Sequence, residues 1–179
     1  PWIAEGVIEE IAPEIRDDQV VLSLVAGLDF ARMQEWFDKA GRKPALFRIM
    51  PNTAIEIGRS MTLISACGAT PEQKEAVKSV FEKLGTVSWI EERLMAAGAA
   101  LCSCGTAYAL RYIRAAMEGG VEMGFYPEQA QEIVARTVEG AAALLLAKGT
   151  HPEEEIDRVT TPGGVTIRGL NEMETAGFT

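Results

Sequence analysis

Seventeen consecutive residues, Leu94 to Leu110, carry no charge. That length sits at the low edge of what a membrane-spanning helix needs, so any fold of this chain has to account for it. Composition decides how. Alanine, glycine, cysteine and serine dominate the stretch, and the segments around it read as ordinary amphipathic helices. It therefore predicts a buried helix packed closely through small side chains, with no membrane partner.

The residues before it alternate in pattern. Trp2 to Ile15 places Ile3, Val7, Ile8 and Ile11 at helical spacing. The run "VVLSLVAG" is short, apolar and stopped by Gly27, which predicts a buried strand from Val20 to Val25. Asp29 to Ala40 reads as a helix. "ALFRIMPN" gives a second strand halted by Pro51 and Asn52, and "MTLISAC" a third. Thr70, Pro71 and Gln73 then supply a helix start: an N-cap hydroxyl, a proline at the first helical position, and a glutamine placed for a capping box. That helix ends near Leu84–Gly85, and "TVSWIEE" is a fourth strand. Helix and strand in alternation predict an α/β layer on a largely parallel sheet.

Past Glu91 every segment reads as helix. A break at Gly119–Gly120 and a start at Tyr126–Pro127 open a helix with Ala130, Ile133, Val134, Val138, Ala141 and Leu145 on one face. Gly149 closes it, and Thr150 with Glu153 can cap a short helix, the acidic residues 153–155 complementing its dipole. A last helix follows from about Ile167. The fold class is thus α/β plus all-α, with residues 1–90 forming the sheet layer and 91–179 the helical domain, divided near Trp89–Glu92.

Charge and cysteine narrow the function. With 17 Lys and Arg against 26 Asp and Glu, a net charge of −9 excludes nucleic acid as a partner, since no basic patch could displace phosphate counterions. Cys67, Cys102 and Cys104 are an odd set in a long chain, which points to a reducing, cytoplasmic setting and no disulfide framework. A zinc site would need carboxylates beside the single histidine, His151, and Cys102-x-Cys104 lacks the two-residue gap of zinc knuckles. No metal is expected, and the cysteines read as small buried thiols. His151, ahead of Pro152, reads as a helix cap or a solvated residue. The chain opens inside an amphipathic helix without an initiator methionine or targeting segment, which reads as a fragment lacking its upstream part.

The chemistry concentrates in "VTTPGGVTIRG", residues 159–169. Glycines let backbone approach a ligand, and the N–H groups of a following helix N-terminus favour an anion. Thr166 can cap that helix or turn its hydroxyl to a ligand. The loop suits a small carboxylate or phosphate, but its composition alone favours a capped glycine-rich turn.

The run "HPEEEIDRVTTPGGVTIRGLNEMETAGF" resembles the C-terminal hallmark of the pyrroline-5-carboxylate reductases. "VVLSLVAGL" resembles that family's strand ending in Ala-Ala-Gly, with Val25 at the first alanine. "RIMPNTAIEIGRSMT" resembles its Met-Pro-Asn-Thr segment, and "ALCSCGTAYALRYIRAAMEGGVEMGF" its long Ser-Gly-Ser-Gly-Pro-Ala-Tyr helix. The likeness covers essentially the whole chain in the family's order. Cys104 stands at the family's second serine of that helix and Thr106 at its proline, so a straighter or differently packed helix is expected there.

The resemblance implies a Rossmann-like sheet layer followed by a helical dimerisation domain. It implies NADPH or NADH as cofactor, 1-pyrroline-5-carboxylate as substrate, and a homodimer or larger assembly whose loop is completed by the partner. Hydride transfer to a cyclic imine asks the protein mainly to hold two partners face to face. By resemblance the backbone of Gly163, Gly164, Val165 and Thr166 and the hydroxyl of Thr161 bind the substrate carboxylate, and the Thr166 hydroxyl meets the ring nitrogen. Val25, Ala26 and Gly27 and the turn Met50–Pro51–Asn52 face the nicotinamide; from the residues alone, Pro51–Asn52 is equally an ordinary strand-ending turn. The family's pyrophosphate-holding turn, part of roughly seventy upstream residues, and its final helix lie outside this sequence, so the stretch by itself is expected to be inactive. A related β-hydroxyacid-type dehydrogenase would need a lysine base on the long helix, and Leu94 to Leu110 has none. A helical dimerisation or regulatory module without catalysis is the remaining alternative.

Overall fold

The computed structural model describes residues 2–16 and 18–178. Pro1, Asp17 and Thr179 lie outside it, and with them the expectations about the chain's two ends. Contacts divide the chain into two units, one running to Leu110 and one from Arg111 onward.

The first unit holds α1 (Ala4–Ile11), β1 (Val20–Ser23), α2 (Phe30–Lys39), β2 (Ala45–Met50), a short 3-10 helix (Thr53–Ile57), β3 (Ser60–Cys67), α3 (Pro71–Glu82) and β4 (Gly85–Trp89). The strands lie in the order β1-β2-β3-β4. β1 with β2 and β3 with β4 are parallel, while β2 and β3 run antiparallel. Connection length explains the mixture. α2 and α3 supply the crossovers that parallel pairs require, whereas Pro51 to Arg59 holds one short 3-10 helix and can only return the chain beside itself.

β2 is buried on both faces, which is why it reads as a continuous apolar run. Leu46 joins Ile8, Phe30, Met33 and Phe37 on one side, and Ala45, Phe47 and Ile49 join Ile64, Val77 and Phe81 on the other. The capping box at Thr70 forms as the sequence requires, with Gln73 N–H donating to Thr70 Oγ1 at 3.2 Å and Thr70 N–H to Gln73 Oε1 at 2.9 Å. Two ends come early. α1 gives way to a 3-10 turn, Ala12–Glu14, at Pro13. β1 stops at Ser23, whose Oγ accepts the Val25 N–H at 3.3 Å, so Val25 lies in the turn.

The uncharged stretch departs from expectation. A turn at Glu92–Leu94 leads into α4 (Met95–Gly98), a π-helical segment (Ala99–Cys104) and α5 (Gly105–Glu122). Close packing holds at Gly98, where a Cβ would collide with the Leu63 side chain, and at buried Met95. Leu101, Tyr108 and Leu110 are 82%, 66% and 58% exposed, so the chain itself does not bury this segment. No helix among the described residues is long and apolar enough to cross a membrane.

In the second unit α5 runs straight through Gly119–Gly120, where a break was expected, because Gly120 packs against Ala130: a Cβ there would stand 3.2 Å from Ala130 Cβ. The turn falls at Met123–Tyr126 instead. α6 (Pro127–Lys148) starts with Pro127 in its first turn and closes at Gly149. α7 (Pro152–Val159) is capped by His151, one residue later than Thr150, and Glu154 rather than Glu153 completes the box. Imidazole Nδ1 accepts the Glu153 N–H at 3.3 Å while Glu154 Oε2 accepts the His151 N–H. α8 (Val165–Thr175) follows the loop.

Candidate functional site

The loop between α7 and α8 is a tight turn feeding a helix. Gly164 N–H donates to Thr161 O at 2.9 Å, with Pro162 and Gly163 between them and Gly163 at φ 69°. Proline at the second turn position and a left-handed glycine at the third are the residues a type II turn demands. Gly164 is the N-cap of α8, and no side chain caps that helix. Thr166 is therefore the second helical residue, which removes the N-cap reading. A Cβ on Gly164 would stand 2.5 Å from Thr161 Oγ1, so glycine there lets the hydroxyl lie against the backbone.

The three threonines separate by what they already bond. Thr160 Oγ1 donates to Ile156 O at 2.7 Å and is spent within α7. The hydroxyls of exposed Thr161 and half-buried Thr166 make no hydrogen bond to the described residues. What the loop offers is two free hydroxyls beside the uncapped N–H groups that begin α8, an arrangement suited to a small anion. Val165, at the first helical position, is 83% exposed.

α7 is braced just upstream. Glu155 accepts from Thr150 Oγ1 at 2.8 Å, Arg158 Nη1 at 2.6 Å and Lys148 Nζ at 3.0 Å. Hydrogen bonds from Thr150 and then Lys148 hold its carboxyl below the ordinary carboxylate value. One side chain thus ties the end of α6 to the helix that presents the loop.

In the first unit the two expected cofactor turns follow neighbouring parallel strands, whose last register pair is Ser23 with Arg48. The exposed residues Ala26 and Gly27 form the tip of one, closed by Leu28 N–H to Val25 O at 3.4 Å. Nothing lies within 4 Å of where a Cβ on Gly27 would be, so its backbone is open to approach. Met50, Pro51 and Asn52 form the other and are half-buried. Turns at the ends of adjacent parallel strands are where open α/β sheets hold ligands.

Asn52 does more than end a strand. Its Oδ1 accepts the Ala54 N–H at 3.1 Å, its N–H donates to Ser60 Oγ at 3.2 Å, and its Nδ2 donates to Cys102 O at 3.3 Å. Thr106 Oγ1 bonds the same carbonyl at 3.1 Å, four residues back in the π-helical segment. The Cys102 thiol donates to Met61 O at 3.5 Å and Met50 O at 3.7 Å, and burial, reinforced by Cys104, pushes it above its ordinary value. Cys102 is thus a protonated structural donor. Asn52, Met61, Cys102 and Thr106 line a mostly apolar groove of about 620 Å³ with Leu63, Leu94 and Leu101. The helix that lacks the family's proline is not regular either; π-turns of this kind gather at functional sites.

Sequence reasoning missed the polar ties beneath the turns. Arg48 is a buried charge in an apolar strand, its side chain 10% exposed, and Glu92 Oε1 meets its Nη1 at 3.0 Å. The lone arginine of "ALFRIM" was the available signal, since a buried charge needs a partner; nothing in the sequence said the partner lay 44 residues on.

Residues 92–179 match the family model for pyrroline-5-carboxylate reductase dimerisation. Pyrroline-5-carboxylate reductase 2 of Dictyostelium discoideum is 40% identical over 185 residues, aligning with 96% of this chain and 62% of its own length. Pyrroline-5-carboxylate reductase 2 of Bacillus subtilis is 36% identical over 99% of the chain and 63% of its own length. The chain thus spans less than two thirds of these relatives. Among solved structures, the NADP-bound pyrroline carboxylate reductase of Plasmodium falciparum superposes with a TM-score of 0.91 at 25% identity, covering 99% of this chain and 71% of that one.

Proposed function

The chain belongs to the pyrroline-5-carboxylate reductase family, and from that membership we propose that its protein reduces 1-pyrroline-5-carboxylate to L-proline with NADPH or NADH, the last step of proline biosynthesis. One observation carries this reading: the uncapped start of α8, with the free hydroxyls of Thr161 and Thr166 beside it. An imine carboxylate needs such a seat and little else, because the substrate, bound protonated, brings its own proton. Val165 and Thr166 N–H groups and Thr161 Oγ1 take the carboxylate, and Thr166 Oγ1 meets the ring nitrogen. The Gly164 N–H is already committed to Thr161 O, so it shapes the seat.

The open backbone at Gly27 and the half-buried turn Met50–Asn52 fit the nicotinamide end of the cofactor. That group supplies the hydride when bound. The residues of this chain orient it, keep the facing groove apolar through Met61, Leu63 and Leu101, and exclude water. The sheet domain 1–90 holds the cofactor, the helical domain 91–179 dimerises, and the partner's helices complete the loop. The enzyme is cytoplasmic. The test is steady-state kinetics of the full-length protein with 1-pyrroline-5-carboxylate, followed by nicotinamide absorbance and proline formation. Cofactor oxidation without proline would refute the substrate, and no turnover with either cofactor would refute the activity.

A further inference from the structure

Glu92 Oε1 accepts two hydrogen bonds at once, from the Phe30 N–H at 2.6 Å and from Arg48 Nη1 at 3.0 Å. Phe30 is the first residue of α2, three past Gly27, and Arg48 lies two residues before Met50. α2 already has its own cap, Asp29 accepting from the Arg32 N–H at 2.9 Å. A second carboxylate brought 62 residues along the chain is more than helix capping asks for. Stability explains it poorly too, because a partly buried ion pair roughly repays its own desolvation. The best-attested use of such a pair is registry. Here it fixes the separation of three segments, the entrance to α2, the end of β2 and the turn leading into α4.

We propose that Glu92 is a positioning residue: by holding Phe30 and Arg48 on one oxygen, it sets the spacing of the turns Val25–Gly27 and Met50–Asn52 and so the width of the nicotinamide seat. This rests on the reading of those turns given under Proposed function. Hydride transfer is steep in distance, and a shift of about 1 Å can cost roughly a hundredfold.

The experiment uses the full-length enzyme with Glu92→Ala, which removes both bonds, and Glu92→Gln, which keeps an acceptor for Phe30 and loses the charge facing Arg48. Circular dichroism establishes folding, fluorescence titration gives the NADPH Kd, and kinetics give both KM values. Glu92→Ala should raise the NADPH Kd and KM about tenfold and lower kcat, with the KM for 1-pyrroline-5-carboxylate within about twofold of wild type. Glu92→Gln should fall between. A merely structural role predicts a lower melting temperature with Kd and both KM values unchanged per folded molecule, and that result overturns the proposal. If Glu92→Ala does not fold, wild-type NADPH affinity in folded Glu92→Gln overturns it. A wild-type enzyme without turnover would instead bring down the functional reading itself, so the two failures are distinct.

Discussion

Thr166 carries the sharpest test of the loop. It sits at the second position of an uncapped helix with its hydroxyl free, so Thr166→Val keeps the shape and removes a hydrogen-bonding hydroxyl. Where that hydroxyl meets the substrate, the loss is about 1–3 kcal/mol, or roughly ten- to a hundredfold in kcat/KM. Thr166→Ser should keep most activity, and melting should barely move, since Gly164 holds the cap position. Thr160→Val gives the contrast: its hydroxyl is bonded to Ile156 O, so turnover should stay near wild type. Wild-type kcat/KM in folded Thr166→Val removes Thr166 from the site. Glu155 gives a pH prediction. Its carboxyl is lowered in the folded protein, so it stabilises fully above the ordinary carboxylate value and that contribution is lost as pH falls through the lowered one. Melting curves from pH about 6 to 3 should therefore fall more steeply in wild type than in Glu155→Gln; parallel curves would deny the brace.

Among the elements, the α5–α6 pair yields neighbouring glycines with opposite fates. A Cβ on Gly119 meets nothing within 4 Å, and in a helix glycine costs backbone entropy. Gly119→Ala should therefore stabilise by about 0.5–1 kcal/mol. Gly120→Val presses against Ala130 and should destabilise by about 1–3 kcal/mol. Urea unfolding of both variants decides it, and a stabilised Gly120→Val would show that the two helices are not in contact there. Thr70→Ala should cost about 1 kcal/mol through loss of the capping box, with kinetics unchanged.

At the scale of the molecule, the exposed apolar surface asks for company. Within the second unit, Met123, Tyr126 and Leu146 are 77%, 79% and 89% exposed, on or beside helices that contribute little else to a core. Soluble monomers rarely leave such a surface open. A dimer or larger assembly is expected, in line with the dimerisation family matched by residues 92–179. Light scattering that finds a stable monomer across micromolar concentrations would contradict it.

Local rules made much of this legible. The four strands, the Thr70 box and the proline start of α6 follow from residues within a few positions of one another, and the structure keeps them. The loop's turn was equally readable, because only a left-handed residue closes Pro162–Gly163 onto Gly164. Tertiary packing decided the rest. Gly119–Gly120 reads as a break until Ala130 is set against it, and Leu94–Leu110 reads as buried until one counts how little of it the sheet can cover. Arg48 declared that it needed a partner, but Glu92 and Phe30 N–H met it only once three distant segments had folded together. Periodicity and capping act within about one helical turn, and the sequence alone fixes what they control. A carboxylate's choice of partner across the fold depends on distances that exist only after the chain has closed.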